Sequence, residues 1–502
     1  VGVTTHNNTV SLEGGAIVSG AVTGGTAADG TGNTLNVRGT NTAQNIAGFQ
    51  KVTFDAANVA AGATMLNLTG SAMTTLDKSA VDAMGSTVRG GVTLLRNANG
   101  INLTGYMGAA KSETTDTTET NVDVRKNSLG KITAITYEGY QFAGVTTPVV
   151  SGTDVYGGIS RAGNATHDNV ITVNGAYANV YGGHTSGAGT TRDDKNNSYS
   201  NTVTITGGTL GNVYGGYTAA ADGTTNNNTV TLAGGTVTGT VYGGALTDAA
   251  ATGSATGNTV TITGGTLNGD VYGGHTAGTG KTTGNTVNLG DEDGAYSAAT
   301  TVNGTLYGGS DSADVAGNVL NVNANAQAKN IRNFETIRFN FKPTQNAASP
   351  LLKLTDTAGT ALDWRSIKTT GDAIGDGRIV TLLENTTAGG LTIGSYTGAK
   401  EVASTGTSEI SIDTDTHAAS AKKILFRGYT FRDASKTAGA SDATTPASDV
   451  WAGRSAIGNT TAGSHLTVAG GTFRDAYGGW TAGTTTAAAD KFGSRGNSVP
   501  LR

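Results

Sequence analysis

The chain has no cysteine, which excludes a disulfide framework, a thiolate metal site and a cysteine nucleophile together. Proline occurs only 5 times in 502 residues and aromatic residues make up 6%. Charged residues make up 14%, against about 25% in an ordinary soluble domain. The formal net charge is −5 and Lys and Arg form no block, so the clustered cations that displace counterions from phosphate are missing and nucleic acid is not an expected partner. No run approaches the roughly eighteen apolar residues of a membrane-spanning helix, so no membrane insertion is expected of this segment. Val1 to Val10 has neither the charged nor the apolar part of a signal peptide, so for an exported protein the leader and anchor are expected outside it.

What the chain does have is glycine, 78 residues of it, with Thr, Ala and Asn filling much of the remainder. The hydrophobic fraction is 36%, and the apolar residues come in short regular clusters suited to a narrow continuous core. The clusters repeat. Val-Tyr-Gly-Gly begins at Val155, Val180, Val213, Val241 and Val271 and recurs in variant form at Leu306 and Ala476. Successive tyrosines from Tyr156 to Tyr307 lie 25, 33, 28, 30 and 35 residues apart, the mark of a fixed unit with loops of different length. A kelch propeller also carries Gly-Gly after a strand, but its period is near 50 residues.

Between these tetrapeptides runs a second element, seen at Asn201 to Thr206, Asn228 to Leu232, Asn258 to Thr263 and Asn285 to Leu289. Val203 and Ile205 alternate with Thr202, Thr204 and Thr206, which predicts a half-buried strand. Gly207-Gly208, Gly234-Gly235 and Gly264-Gly265 follow, and paired glycines supply the positive φ of a sharp turn. The Gly-Gly of Val-Tyr-Gly-Gly is read as a second such turn, leading into a polar loop. A single unit has too few large residues to enclose a core. Stacking buries Val203, Val230, Val260 and Val287 as one ladder and sets Asn201, Asn228, Asn258 and Asn285 in another. The fold expected is all-β, a right-handed parallel β-helix; at about 28 residues and about 4.8 Å per coil it would be a rod roughly 85 Å long.

A longer period overlies the short one. Asn45 to Phe54 realigns with Asn330 to Phe339 at an offset of 285, Thr93 to Asn97 with Thr381 to Asn385, and Tyr137 to Phe142 with Phe426 to Phe431. The segments expected are residues 1–40, the end of a repeat array; 41–150, an aromatic and less regular section; 151–325, the Val-Tyr-Gly-Gly array; 326–435, a second aromatic section; and 436–502, the start of another array. All are expected to form one continuous solenoid, cut at both ends from a longer protein.

Gly/Thr/Asn-rich strand repeats without cysteine, interrupted by Asn-Phe-Glu-x-Ile-x-Phe at Asn333 to Phe339, resemble the passenger domains of autotransporter adhesins of Gram-negative bacteria. The resemblance implies a β-helix displayed outside the cell and held at the outer membrane through a C-terminal barrel in a region beyond this segment. The lack of cysteine suits passage through an oxidising periplasm unfolded.

Against that background the chemical candidates are few. Some such passengers are serine proteases, but no Gly-Asp-Ser-Gly loop occurs, and Ser310-Asp311-Ser312 lacks an oxyanion-hole context. Asp193-Asp194, Asp291-Glu292-Asp293, and Asp413 with Asp415 are read as solubilising loop residues rather than as lyase or glycosidase carboxylates or a calcium site. His184 and His275 are read as exposed turn residues. No catalytic residue, cofactor or metal is expected. Because Val and Tyr are adjacent in a strand they face opposite ways, so Tyr156, Tyr181, Tyr214, Tyr242, Tyr272, Tyr307 and Tyr477 are the candidate strip, either a stabilising ladder or a binding surface for a glycan or protein. The function expected is a non-catalytic extracellular adhesin or spacer whose partner is a host or bacterial surface glycan or protein. The alternatives are a self-associating filament or surface layer, and a carbohydrate-active enzyme.

Overall fold

The computed structural model describes residues 5–25, 30–85, 91–186, 195–291, 300–341, 349–371, 379–442, 449–482, 494–495 and 498–499. The chain is 55% strand and 2% helix, and it winds as a parallel β-solenoid of about 15 turns.

The coils of the central array build three sheets. The first takes the Asn-Thr-Val element as Val170–Asn174, Thr202–Gly207, Thr229–Leu232, Thr259–Ile262 and Thr286–Leu289. Its register puts Val203 beside Val230, Val230 beside Val260, and Val260 beside Val287. All four are fully buried while the threonines between them are half-buried. Alternation fixes which side chains point inward, but only the next coil removes them from water. Each valine gains roughly 1.5–3 kcal/mol from that covering, so a lone coil has nothing to hold it.

The turn after this strand is as the sequence suggests. Gly208, Gly235 and Gly265 have φ of 88°, 81° and 79°, the left-handed region that an L side chain resists. The second doublet is different and corrects the expectation of another turn. Gly243 and Gly244 lie within the strand Val241–Leu246, as do their counterparts in Tyr177–Thr185, Thr209–Thr218 and Val271–Thr276. They are buried, and the reason for glycine is room: a Cβ on Gly243 would meet the Gly273 carbonyl oxygen and lie 2.9 Å from Asn258 Cβ. The strand thus passes through Gly-Gly, and the loops that follow absorb the changing spacing.

Two interruptions break the parallel order. After Val92–Asn97 the strands Ile132–Gln141, Thr118–Lys126 and Ala110–Thr114 add antiparallel to one another. After Ile379–Glu384 the strands Lys423–Thr430, Ser408–Thr414 and Lys400–Ser404 do the same. The core divides where these meanders lie: one apolar cluster runs from Leu12 to Tyr137, the next from Val155 to Phe426 and a third from Ala438 to Leu466. Because the meanders consume chain without adding coils, about 15 turns at about 4.8 Å give a stack of roughly 70 Å, shorter than the length expected from a uniform coil.

Candidate functional site

The strand Asp154–Ser160 and those stacked on it bring the candidate tyrosines into line, because their register pairs Tyr156 with Tyr181, Tyr181 with Tyr214, Tyr214 with Tyr242, Tyr242 with Tyr272, and Tyr272 with Tyr307. Successive ring centroids are 5.1, 4.9, 4.9, 5.5 and 4.5 Å apart, with planes within 14° of parallel. Tyr477 lies apart from this column, in the later strand Ala476–Thr481, paired with Trp451. Five of the six stacked rings are half-buried and Tyr181 is buried at 8% exposure. Stacking uses up both faces of the four inner rings, so only their edges are left for a ligand. Burial, reinforced by the charge that would develop on Tyr242, pushes the Tyr214 hydroxyl up to about 12, so the phenol stays neutral at physiological pH.

A second column stands edge-on to the first. His184 stacks on Tyr217 at 4.6 Å, and the His184, Tyr217 and His275 rings meet Tyr181, Tyr214 and Tyr272 at 4.8, 5.3 and 5.0 Å, near perpendicular. The two histidines are therefore not exposed turn residues. They are half-buried strand residues whose Nδ1 atoms are buried without a hydrogen-bond partner among the described residues. Burial pulls His184 down to about 4 and lowers His275 as well. Sequence adjacency to Gly-Gly suggested a turn; the continuation of the strand through those glycines put the rings against the tyrosines instead.

Behind the strip, the space left by the glycines is filled by asparagine. Asn169, Asn201, Asn228 and Asn258 each donate Nδ2 to Oδ1 of the next asparagine, at 2.7, 2.9, 3.0 and 3.1 Å, and Asn285 continues to Asn318 at 3.4 Å. The backbone N–H of each of Asn201, Asn228, Asn258 and Asn285 donates to the same oxygen. All of these side chains are fully buried, so the ladder satisfies amides that would otherwise be orphaned in the core.

The acidic residues separate. Asp193, Asp194, Glu292 and Asp293 lie outside the described residues. Asp413 is not a loop residue: it is 4% exposed at the end of Ser408–Thr414, accepts from Tyr396 at 2.8 Å and Thr414 N at 2.7 Å, and lies 2.8 Å from His417 Nδ1. Asp415 accepts from Lys422 N and Lys423 N. Ser310 Oγ accepts from Thr276 N, a bond between coils. No group of three or more His, Cys, Asp and Glu suited to a metal ion occurs among the described residues.

Composition did not disclose two buried glutamates. Glu119, 1% exposed, accepts from Ser160 Oγ at 2.7 Å, Arg161 N at 2.7 Å and Asn164 Nδ2 at 2.5 Å. Glu409, also 1% exposed, accepts from Ser455 Oγ at 2.7 Å, Ala456 N at 2.7 Å and Asn459 Nδ2 at 2.8 Å. Each carboxylate fastens a meander to the first coil that follows it. The available signal was their recurrence at nearly the block offset, together with Ser-x-x-x-Asn at Ser160 to Asn164 and Ser455 to Asn459. No family model, curated protein or solved structure matches the chain.

Proposed function

We propose that this chain belongs to an autotransporter-like surface protein and serves as a non-catalytic rod that attaches the bacterium to cells, glycans or other bacteria, or that projects an attachment surface outward. The observation that carries this reading is the use of inward side chains. Valine, asparagine and glycine columns are consumed in coil-to-coil contact from Asn169 to Asn318, which leaves the ring edges and the loops of variable length to meet a partner. Such a scaffold supplies reach through repetition, and each coil can vary its loop without disturbing the ladder.

Display of the chain on a non-adherent bacterium tests the proposal, with cell and glycan attachment as readouts and the double variant Tyr214→Ser with Tyr242→Ser beside it. Attachment that the parent strain lacks is expected. Its loss in the variant at unchanged melting temperature assigns the strip to binding, whereas lost stability with intact attachment assigns it to the scaffold. A displayed chain that gives no attachment refutes the adhesin role; periodic fibres by electron microscopy then favour self-assembly, and turnover of an acidic polysaccharide favours an enzyme.

A further inference from the structure

We propose that the edge strand Thr360–Asp363 docks an extended acidic peptide segment of a partner protein, which adds to it as a further strand. The proposal goes beyond the attachment reading and does not depend on the tyrosine strip.

The site exists because one coil takes a short path. Coils of the array run along a third side of the rod, as at Thr225–Asn226 and Ala255–Thr256, and that side continues through hydrogen bonds from Ala255 N to Lys281 O and from Gly284 N to Ala316 O. In the next coil only Asn333, Phe334 and Glu335 join Asn330–Arg332 to Thr336–Phe341. They cut across that side. Asn333 O accepts from Asn318 Nδ2 at 3.3 Å, and Glu335 N and Thr336 N donate to Asn318 O at 3.0 and 3.2 Å, so the path lies against the buried end of the asparagine column. The third side resumes one coil later in Thr360–Asp363, which pairs with Leu391–Gly394 and has no strand on its other side among the described residues. A layer is missing, and the strand beyond the gap presents an open edge.

The backbone groups of a parallel strand alternate between its two sides. Thr360 N donates to Gly390 O at 3.0 Å, so Thr360 and Leu362 serve the ladder with Leu391–Gly394, and the exposed Ala361 turns its N–H and C=O to the gap. Three adjoining hollows of about 330, 70 and 390 Å³ follow this edge. The first two share Arg332, Asn333 and Ala361, and the last two share Phe334, Asp363 and Ser366, so they form one groove.

The missing layer also uncovers apolar surface. Ile393, stacked on Leu362, is buried, whereas Leu362 and Phe334 are half-buried against the core. The first block takes the same short path at Phe49 and has the matching edge strand Thr74–Asp77, but there Phe49 and Leu76 are buried. The second block thus keeps open what the first closes.

Charge selects the occupant. From Ala326 to Gly371 the described residues carry six cations, Lys329, Arg332, Arg338, Lys353, Arg365 and Lys368, against three carboxylates, Glu335, Asp356 and Asp363, in a chain of net charge −5. Asp363 is bound by Arg365 at 2.6 Å, Glu335 by Gly317 N at 2.6 Å, and Asp356 by Ala358 N at 3.0 Å and Asn330 Nδ2 at 2.6 Å. Arg332 and Lys368 line the groove, are exposed and make no salt bridge among the described residues. Aligned on Phe49 and on the short turn after Asp77, the first block has Ala47, Ser79 and Asp82 where the second has Arg332, Arg365 and Lys368. An open backbone edge is met by another backbone, the uncovered Leu362 and Phe334 by apolar side chains, and the added cations by carboxylates, which together describe an extended acidic peptide.

Titration of the full chain with the capped peptide Glu-Val-Thr-Val-Glu, its counterpart Lys-Val-Thr-Val-Lys and the proline-bearing Glu-Val-Pro-Pro-Glu tests the site, with calorimetry and amide exchange as readouts. The acidic peptide is expected to bind about tenfold or more tighter than the lysine peptide, and the proline peptide not to bind. Exchange of the Ala361 amide should slow in the complex. Ala361→Pro removes the N–H that faces the gap and leaves the ladder with Leu391–Gly394, so it should abolish binding at unchanged melting temperature. If that variant does not fold, Arg332→Glu at its exposed position decides: it should weaken the acidic peptide by about tenfold and strengthen the lysine one. No binding of the acidic peptide, equal binding of the proline peptide, or folded variants that bind like the parent would each overturn the proposal. So would self-association lost in Ala361→Pro, which gives the edge to a second copy, and Ala361 exchange slowed by an oligogalacturonate but not by the peptide, which gives it to a saccharide.

Discussion

Replacing Asn228 with Ala should be among the most costly single changes in the array. The side chain donates Nδ2 to Ser198 O at 2.9 Å and to Asn258 Oδ1 at 3.0 Å, and its Oδ1 accepts from Asn201 N at 3.1 Å and Asn201 Nδ2 at 2.9 Å. Asn201 Nδ2 keeps Thr166 O and Ser198 Oγ, but the Asn201 backbone N–H and the Ser198 carbonyl lose these partners within a fully buried column. Buried hydrogen bonds contribute about 1 kcal/mol each and an orphaned group costs about 1–3, which places the loss at roughly 3–5 kcal/mol. In a stack where each coil touches only its neighbours, the damage should stay local. Chemical denaturation would measure the loss, and hydrogen exchange should show protection reduced from Asn201 to Asn258 and kept around Leu320 and Ile337. A loss below about 1 kcal/mol, or deprotection spread evenly along the rod, would refute the claim that the asparagine column holds adjacent coils together.

Gly243→Ala probes the packing role of the second glycine doublet. Its backbone is not left-handed, so a turn-based role predicts little effect, while the close approach of Gly273 O and of Asn258 Cβ at 2.9 Å predicts overpacking at a cost of about 1–3 kcal/mol, read from the denaturation midpoint. His184 predicts the acid response. Its pKa falls from 6.5 to about 4 on folding because burial disfavours the charged ring, so the unfolded chain binds the proton more readily. The stability it permits is full above pH 6.5 and declines as pH falls toward 4, by roughly 3 kcal/mol at most. His184→Phe should flatten that part of the stability–pH curve, and an unchanged slope between pH 6.5 and 4 would remove His184 as its source.

Local chemistry made much of the solenoid legible. Thr-Val-Thr-Ile alternation sets Val203 and Ile205 on the buried side, Gly208 can take a left-handed turn where Thr or Val cannot, and recurrence of both at irregular spacing implies coils with variable loops. From those three features the valine and asparagine ladders follow. The tyrosine column was legible too, because a residue next to a core valine in a strand must face away from it. Whether that column meets a partner was not, since recognition depends on what lies beside each ring edge.

Other features depended on contacts that no local pattern encodes. The glycines of Val-Tyr-Gly-Gly resemble turn residues, and only the approach of the next coil shows that they make room for asparagine. The same continuation of the strand turned His184 and His275 from surface into half-buried rings. The antiparallel meanders and the buried Glu119 and Glu409 bring together strands whose pairing is set by hairpins and stacking. By itself the sequence determined the repeating coil, since that needs only alternation, turn chemistry and periodicity. Tertiary structure alone decided which charges were buried, because that depends on neighbours tens of residues away.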